Sequence, residues 1–202
     1  MMASAYGNTN ETISIVVDRT ELELPVYYTS PNGMKYSLDT WQELDVNGLY
    51  EIFFDVIEEG QTYPQESINL DEFRQYFLSK YCFVIRPMFS NNSSDSNSIA
   101  GGFFIKSNFP GRSSHLANYG LLVNRKYRQQ GLANFMVEQC IRLAKQLKFK
   151  ALYTNLVYVS NLASIKTCQR YGFQQVGRLP KAGNLKQLGY TDALQFYKDL
   201  ED

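Results

Sequence analysis

Apolar positions along the 202 residues alternate between period-two and helical spacing, and the order of the changes predicts an α/β (α+β) domain. Residues 13–17 and 22–28 are β-rich runs, and Pro31-Asn32-Gly33 is a turn signal. Ser37 to Thr40 reads as the cap of a helix running through Trp41, Leu44, Leu49 and Phe53 to Ile57, with Gly60 ending it and Asn47-Gly48 offering a point of division. Asn69 is placed to cap a second helix, 70–78, whose Phe73 and Phe77 share a face. Strands follow at 81–86, where Pro87 ends the run, at 99–106 and at 117–124; residues 90–98, SNNSSDSNS, form a polar loop, and 108–111 form a turn. Leu132, Met136, Cys140, Leu143 and Leu147 make one stripe of a helix over 132–147, the core face of a helix lying on a sheet. A buried strand at 151–159, a helix over 162–170 capped by Asn161, and strands at 173–179 and 193–200 complete the chain.

Composition narrows the functional classes. An apolar content of 44% with 15 Tyr and 13 Phe suits a packed interior of one domain spanning 1–202, with 1–12 as a flexible leader and 99–200 as the motif-bearing core. Basic and acidic residues are equal in number, so no chain-wide field favours nucleic acid or an anionic membrane. Cys82, Cys140 and Cys168 are odd in number and widely spaced beside a single histidine, which suggests neither a disulfide framework nor a metal site. No run approaches a membrane span, and the polar start MMASAYGNTNETIS lacks a basic signal region, so a cytoplasmic location is expected.

The most informative stretch is LLVNRKYRQQGLA, residues 121–133, an apolar strand running through a short loop into a helix. Amides at a helix N-terminus lack intrahelical partners and lie at the positive end of the helix dipole, so such a turn can bind a pyrophosphate. Gly131 permits close approach to the backbone, and Ala133 adds little bulk.

Val123, Tyr127, Arg128, Gly131 and Ala133 resemble motif A of the GNAT superfamily of acyl-CoA N-acyltransferases. Asn161, Ser164, Cys168 and Gly172-Phe173 resemble the superfamily's later motif, except that Cys168 stands where many members carry a tyrosine that protonates the departing thiolate. The resemblance implies a mixed, mostly antiparallel twisted sheet flanked by helices, with two strands splayed around the pantetheine arm. It also implies acetyl-CoA as acyl donor, held by Leu122, Val123, Arg128, Gln129, Gln130, Gly131, Leu132, Ala133, Asn161 and Ser164. Residues 59–65, Ser114-His115, Leu122 to Asn124, Thr154 to Val157, Asn161 to Ser164, Lys181 to Gly183 and Asp192-Ala193 further resemble the fungal branch that acetylates proline analogues such as azetidine-2-carboxylate. That branch implies a small-molecule amine acceptor; a protein or peptide N-terminus, or a non-catalytic acyl-CoA-binding module, are the alternatives. Members of the superfamily often pair, which implies a homodimer.

Thioester aminolysis needs a neutral amine aimed at the carbonyl carbon and a donor for the developing oxyanion, which a strand N–H near Val123 can supply. Residues 116–124 contain no carboxylate to act as base. Asn124 and Asn155 either hold the acceptor or bond local backbone at strand ends. His115 is either a base near substrate or structural, and Cys168 either gives a proton to the thiolate or is a small core residue. Arg125, Lys126 and Arg128 either pair the 3′-phosphate of the coenzyme or form a solvated turn.

Overall fold

A computed structural model describes residues 18–88 and 98–201. The expected leader, the β-rich run at 13–17 and nearly all of the polar loop at 90–98 lie outside the described residues. Eight strands form one sheet: β1 (Val26–Thr29), β2 (Lys35–Thr40), β3 (Tyr81–Pro87), β4 (Gly101–Ser107), β5 (Leu116–Val123), β6 (Ala151–Tyr158), β7 (Gln174–Leu185) and β8 (Gly189–Asp199). The spatial order is β1-β2-β3-β4-β5-β6-β8-β7. Every neighbouring pair is antiparallel except β5 and β6, so the sheet is mixed and mostly antiparallel, as expected.

Four helices cover the two faces: α1 (Val46–Glu59), α2 (Leu70–Phe77), α3 (Leu132–Gln146) and α4 (Leu162–Arg170). Alternate residues of β3 and β4 face opposite cores, because strand side chains alternate. Phe83, Ile85, Phe103 and Ile105 pack with Met136, Cys140 and Leu143 of α3. Val84 and Phe104 pack with Phe53 of α1 and with Phe73 and Phe77 of α2. The stripe assigned to the helix over 132–147 is therefore its core face.

The early chain departs from its expected elements. Residues 37–40 were expected to cap a helix and instead belong to β2, because Tyr36 and Leu38 alternate into the core with no exposed surface and the strand pairs on both sides. Period two wins over the capping pattern once two neighbouring strands satisfy the backbone. The helix starts later, where the buried Asp45 carboxylate accepts from Gln42 N at 2.6 Å and from Arg86 Nε at 2.9 Å. Asn47 and Gly48 lie inside α1 without dividing it, and Gly60 ends it at φ 65°. Residues 18–24 turn rather than extend, Asp18 accepting from Thr20 N at 2.8 Å, and only Val26–Thr29 forms a strand.

Other boundaries hold or shift slightly. Asn69 accepts from Glu72 N while Glu72 reaches back to Asn69 N, both at 2.9 Å, a reciprocal cap on α2. Pro87 closes β3 rather than following it, paired with Tyr36. The last two strands form a hairpin longer than periodicity indicated, because bulges between Gln175 and Gly177 and between Leu179 and Gly183 break the alternation.

The Asp45–Arg86 pair joins the start of α1 to β3 with the carboxylate almost wholly enclosed. Asp45→Ala strands the guanidinium and is expected to lower the unfolding free energy by about 3 kcal/mol. Urea denaturation followed by circular dichroism measures this, and a loss below about 1 kcal/mol would show that the pair does not anchor the helix.

Candidate functional site

The one parallel pairing in the sheet fails almost at once. β5 and β6 meet only at Leu116 with Ala151 and Ala117 with Leu152. Asn118 Nδ2 then donates to Tyr153 O at 3.0 Å in place of a ladder bond, and beyond it the strands separate. β6 stays with β8 through a bulge between Thr154 and Val157, which bends it away from β5.

The separation exposes a row of backbone groups. Asn124 N bonds to Ala100 O at 3.0 Å, and Leu116 O accepts from Asn108 N at 2.8 Å, so the even-numbered residues of this stretch turn their amides toward β4. By alternation, Tyr119, Leu121 and Val123 direct theirs into the gap. Tyr63 Oη donates to Leu121 O at 3.1 Å, taking up one of those carbonyls. The N–H groups of Leu121 and Val123 thus line the opening as fixed donors.

At the far end of β5 the chain enters the expected phosphate-binding turn. Arg128 is extended, Gln129 is left-handed at φ 63°, and Gly131 is left-handed at φ 79° as the N-cap of α3. No side chain caps that helix. Its first intrahelical bond runs from Phe135 N to Gly131 O at 3.1 Å, so the amides of Leu132, Ala133 and Asn134 have no acceptor within the helix. A negative group there would gain several hydrogen bonds and the favourable end of the dipole.

The turn is held from behind by the N-terminal strands. Tyr28 Oη donates to Gln130 O at 3.1 Å, and Tyr36 Oη donates to Gln130 Oε1. A Cβ at Gly131 would collide with the Tyr28 hydroxyl, so the close approach that requires glycine here comes from β1. Gln130 thereby faces inward as a brace.

Two charged residues are committed elsewhere. Arg125 and Arg128, expected either to pair a coenzyme phosphate or to sit in a solvated turn, both bond Glu59 at the end of α1, at 2.8 and 2.9 Å. Burial alone would raise the Glu59 carboxyl, but these two guanidinium bonds outweigh it and hold the group below the ordinary glutamate range. Arg128 as placed ties the turn to α1, with its side chain still 41% exposed.

The expected acceptor-site residues separate into groups. Asn124 spends its amide locally, Nδ2 donating to Ile99 O at 2.9 Å and Oδ1 accepting from Lys126 N at 3.0 Å, which is the strand-end alternative. Asn155 lies on β6 at the bulge, its Nδ2 donating to Asn108 Oδ1 at 2.5 Å, so it bridges the gap region to the β4–β5 loop. His115 is exposed, and its carbonyl accepts from Lys150 N at 3.0 Å on the closed side of the divergence. Asn161 Oδ1 accepts from Ser164 N at 3.1 Å, the expected cap of α4. Cys168 is buried in the α3 core, with Tyr119 Oη 4.0 Å from its Sγ. Burial raises both the Cys168 thiol and the Tyr119 phenol, the latter well above its usual value, so both stay protonated at neutral pH.

Three contributors escaped the sequence reading. Neither Tyr63 nor Tyr119 stands out in the sequence, and only strand pairing reveals that both reach the unpaired edge of β5. The β7–β8 hairpin is the third: its tip crosses to α1, where Lys186 N bonds Gly60 O at 3.1 Å, Lys186 Nζ bonds Glu58 O at 2.9 Å and Gln61 Nε2 bonds Lys186 O at 2.8 Å. The loop from 60 to 69 and this hairpin therefore join on the α1 side of the sheet.

Comparison with known proteins agrees with this geometry. The acetyltransferase (GNAT) family model matches residues 47–173. N-acetyltransferase aca1 of Schizosaccharomyces pombe is 34% identical over 161 residues, covering 72% of this chain and 77% of that protein. Protein SPT10 of Saccharomyces cerevisiae is 34% identical over 86 residues, which is 43% of this chain and 13% of that protein. Among solved structures, a GCN5-related N-acetyltransferase from Kribbella flavida superposes with a TM-score of 0.73 at 19% identity, over 81% of this chain and 97% of that one. An acetyltransferase from Salmonella typhimurium, yncA, solved with its cofactor acetyl-CoA, gives 0.68 at 15% identity over 82% and 94%. Among the described residues no helix is long and apolar enough to cross a membrane.

Gly131→Ala places a Cβ in the left-handed region and against Tyr28, and is expected to cost about 1–2 kcal/mol of stability. Adding Tyr28→Phe should restore part of the loss, because the hydroxyl is the colliding atom. Denaturation of both single variants and the double variant measures the coupling, and strict additivity would remove the contact from the account.

Proposed function

Because the chain belongs to the acetyltransferase (GNAT) family and is an N-acetyltransferase, we propose that it passes acetyl from acetyl-CoA to the amine of a small, proline-like amino acid by direct attack in a ternary complex. The observation that carries the reading is the parting of β5 from β6 directly upstream of an uncapped helix. One site thus offers strand-edge donors for a thioester and helix amides for a diphosphate. The solved yncA neighbour is described with acetyl-CoA as its cofactor, which supports the donor.

In this reading the amides of Leu132 and Ala133 receive the diphosphate, and the arm lies along the open edge of β5. The Val123 or Leu121 N–H bonds the thioester oxygen more strongly as it gains charge, lowering the barrier to the tetrahedral intermediate. The neutral amine attacks the carbonyl carbon; the C–N bond forms, the C–S bond breaks, and the amine proton is lost to water. The departing thiolate takes a proton from the Tyr119–Cys168 pair, which spans from β5 to α4, and the pair recovers a proton from the water that took the amine's; Cys168 stands where many members carry a tyrosine. With no carboxylate on β5, entropy and orientation supply most of the acceleration.

Asn155 stands beside the gap with its amide fixed by Asn108, so it orients the acceptor in this reading. Acetyl-CoA, but not ADP, should raise the melting temperature, and thiol release should be largest with proline-like amino acids among a panel of amines. Asn155→Ala should lower turnover about tenfold or more while acetyl-CoA affinity stays within about threefold. Unchanged turnover would remove Asn155 from the site, and the absence of an acetyl-CoA shift in the unmodified protein would overturn the transferase reading.

A further inference from the structure

On the α1 side of the sheet, one strand away from the gap, lies a lysine whose surroundings are unusual. Lys106, next to the last residue of β4, lies directly opposite Asn118, the residue whose amide bridges to Tyr153 where β5 and β6 part. It is half-buried, and its ammonium lies 4.3 Å from the Tyr76 ring centre and 4.4 Å from that of Phe104. One hydrogen bond is formed, to Tyr76 O at 2.7 Å. Among the described residues no carboxylate pairs with it, and burial alone displaces its pKa, down to about 8. An ammonium carries three donors, and one removed from bulk water without an anion is unfavourable unless a ligand supplies the anion.

The loop above repeats the pattern. Gln65 lies beside the Tyr76 side chain, and its Oε1 is buried with no partner, as is Thr62 Oγ1 of the same loop. Buried polar atoms are nearly always satisfied in folded proteins, so two orphans in a four-residue span beside a solitary cation mark a place prepared for polar groups from outside. The needs are complementary: Lys106 offers donors and a positive charge, while Gln65 Oε1 requires a donor. A ligand carrying an anion at one end and an N–H at the other fits both. The hairpin tip docked on Gly60 and Glu58 keeps this loop over the sheet.

The geometry points to a carboxylate subsite at Lys106, which restricts the acceptor to amines that also bear a carboxylate, that is, free amino acids, and disfavours polyamines. The assignment rests on the transferase reading above and deepens it by naming the residue that selects the acceptor's carboxylate. A polyamine would bring a second cation against Lys106 with no anion between them, so the same group that attracts an amino acid repels the alternative.

The test compares matched acceptors in the full-length protein: azetidine-2-carboxylate and proline against prolinamide and pyrrolidine, with spermidine as the cationic alternative, followed by thiol release from acetyl-CoA. The wild type is expected to use the acids with kcat/KM at least about 30-fold above that for prolinamide. Lys106→Met should lower kcat/KM for the acids by a similar factor, mostly through KM, and leave prolinamide within about threefold. Lys106→Arg should retain more activity with the acids than Lys106→Met. An acetyl-CoA thermal shift equal to wild type shows that each variant is folded and loaded; should Lys106→Met fail to fold, Lys106→Gln takes its place, and unchanged kcat/KM for the acids in the folded variant would overturn the subsite. Equal use of acid and amide, or preference for spermidine, would overturn the carboxylate subsite while the transferase reading stands. Thiol release with no amine, together with no acetyl-CoA shift, would overturn both.

Discussion

The refusal of β5 and β6 to pair beyond two residues is the constraint on which the rest depends. A parallel ladder normally satisfies every backbone group between its strands, and an interrupted one leaves donors that must be met by water or a ligand. Here the interruption is built on both sides. Asn118 closes the last shared position with its side chain, and the bulge after Thr154 lets β6 keep its bonds to β8 while leaving β5. The edge of β5 remains straight because β4 holds it along seven register pairs. A rigid strand with an open edge is a better donor array than a loop, since its amides need no reorganisation when charge develops opposite them.

The same rigidity carries into the turn. Gln130 is tied by two tyrosines, Gly131 is fixed in the left-handed region against one of them, and Arg125 and Arg128 are tied to α1 through Glu59. Two of the charges nearest the turn thus help to hold its shape, while the first amides of α3 stay without an acceptor within the helix. Backbone donors have fixed direction, whereas an exposed guanidinium on a long side chain loses rotamer entropy whenever it engages a ligand.

The sequence made the second half of the fold legible and the first half only partly so. Helices α3 and α4 were readable because their apolar stripes and the Asn161 cap are local signals, and the motif from 121 to 133 lies on one strand-turn-helix unit. Residues 35–40 misled because Ser37 and Asp39 imitate a cap, while the decisive fact, burial of Tyr36 and Leu38 between two strands, is a long-range one. Asn124 shows the same limit at the site: an asparagine at a strand end looks alike whether it faces a ligand or bonds Ile99 O. Tyr119 and Lys106 gave no signal, since a tyrosine and a lysine within a strand are ordinary until their strand neighbours are known.

Those long-range facts also account for the N-terminal portion, which the motifs left without a role. Tyr28 on β1 and Tyr36 on β2 reach across the sheet to Gln130, and Tyr28 stacks on Phe135 of α3 with ring centres 4.6 Å apart. Glu59 at the end of α1 binds the arginines of the same turn, and the loop that follows supplies Tyr63 to the open edge and, beyond it, Gln65. Both edges of the sheet thus converge on its centre: β1 and β2 brace the turn from one side, and the β7–β8 hairpin meets α1 from the other. A gap between two strands weakens a sheet where it opens, since the lost ladder bonds go uncompensated without a ligand. Elements from the two ends of the chain cross the gap above and below and hold the halves of the sheet in register, so the opening can persist in a folded protein.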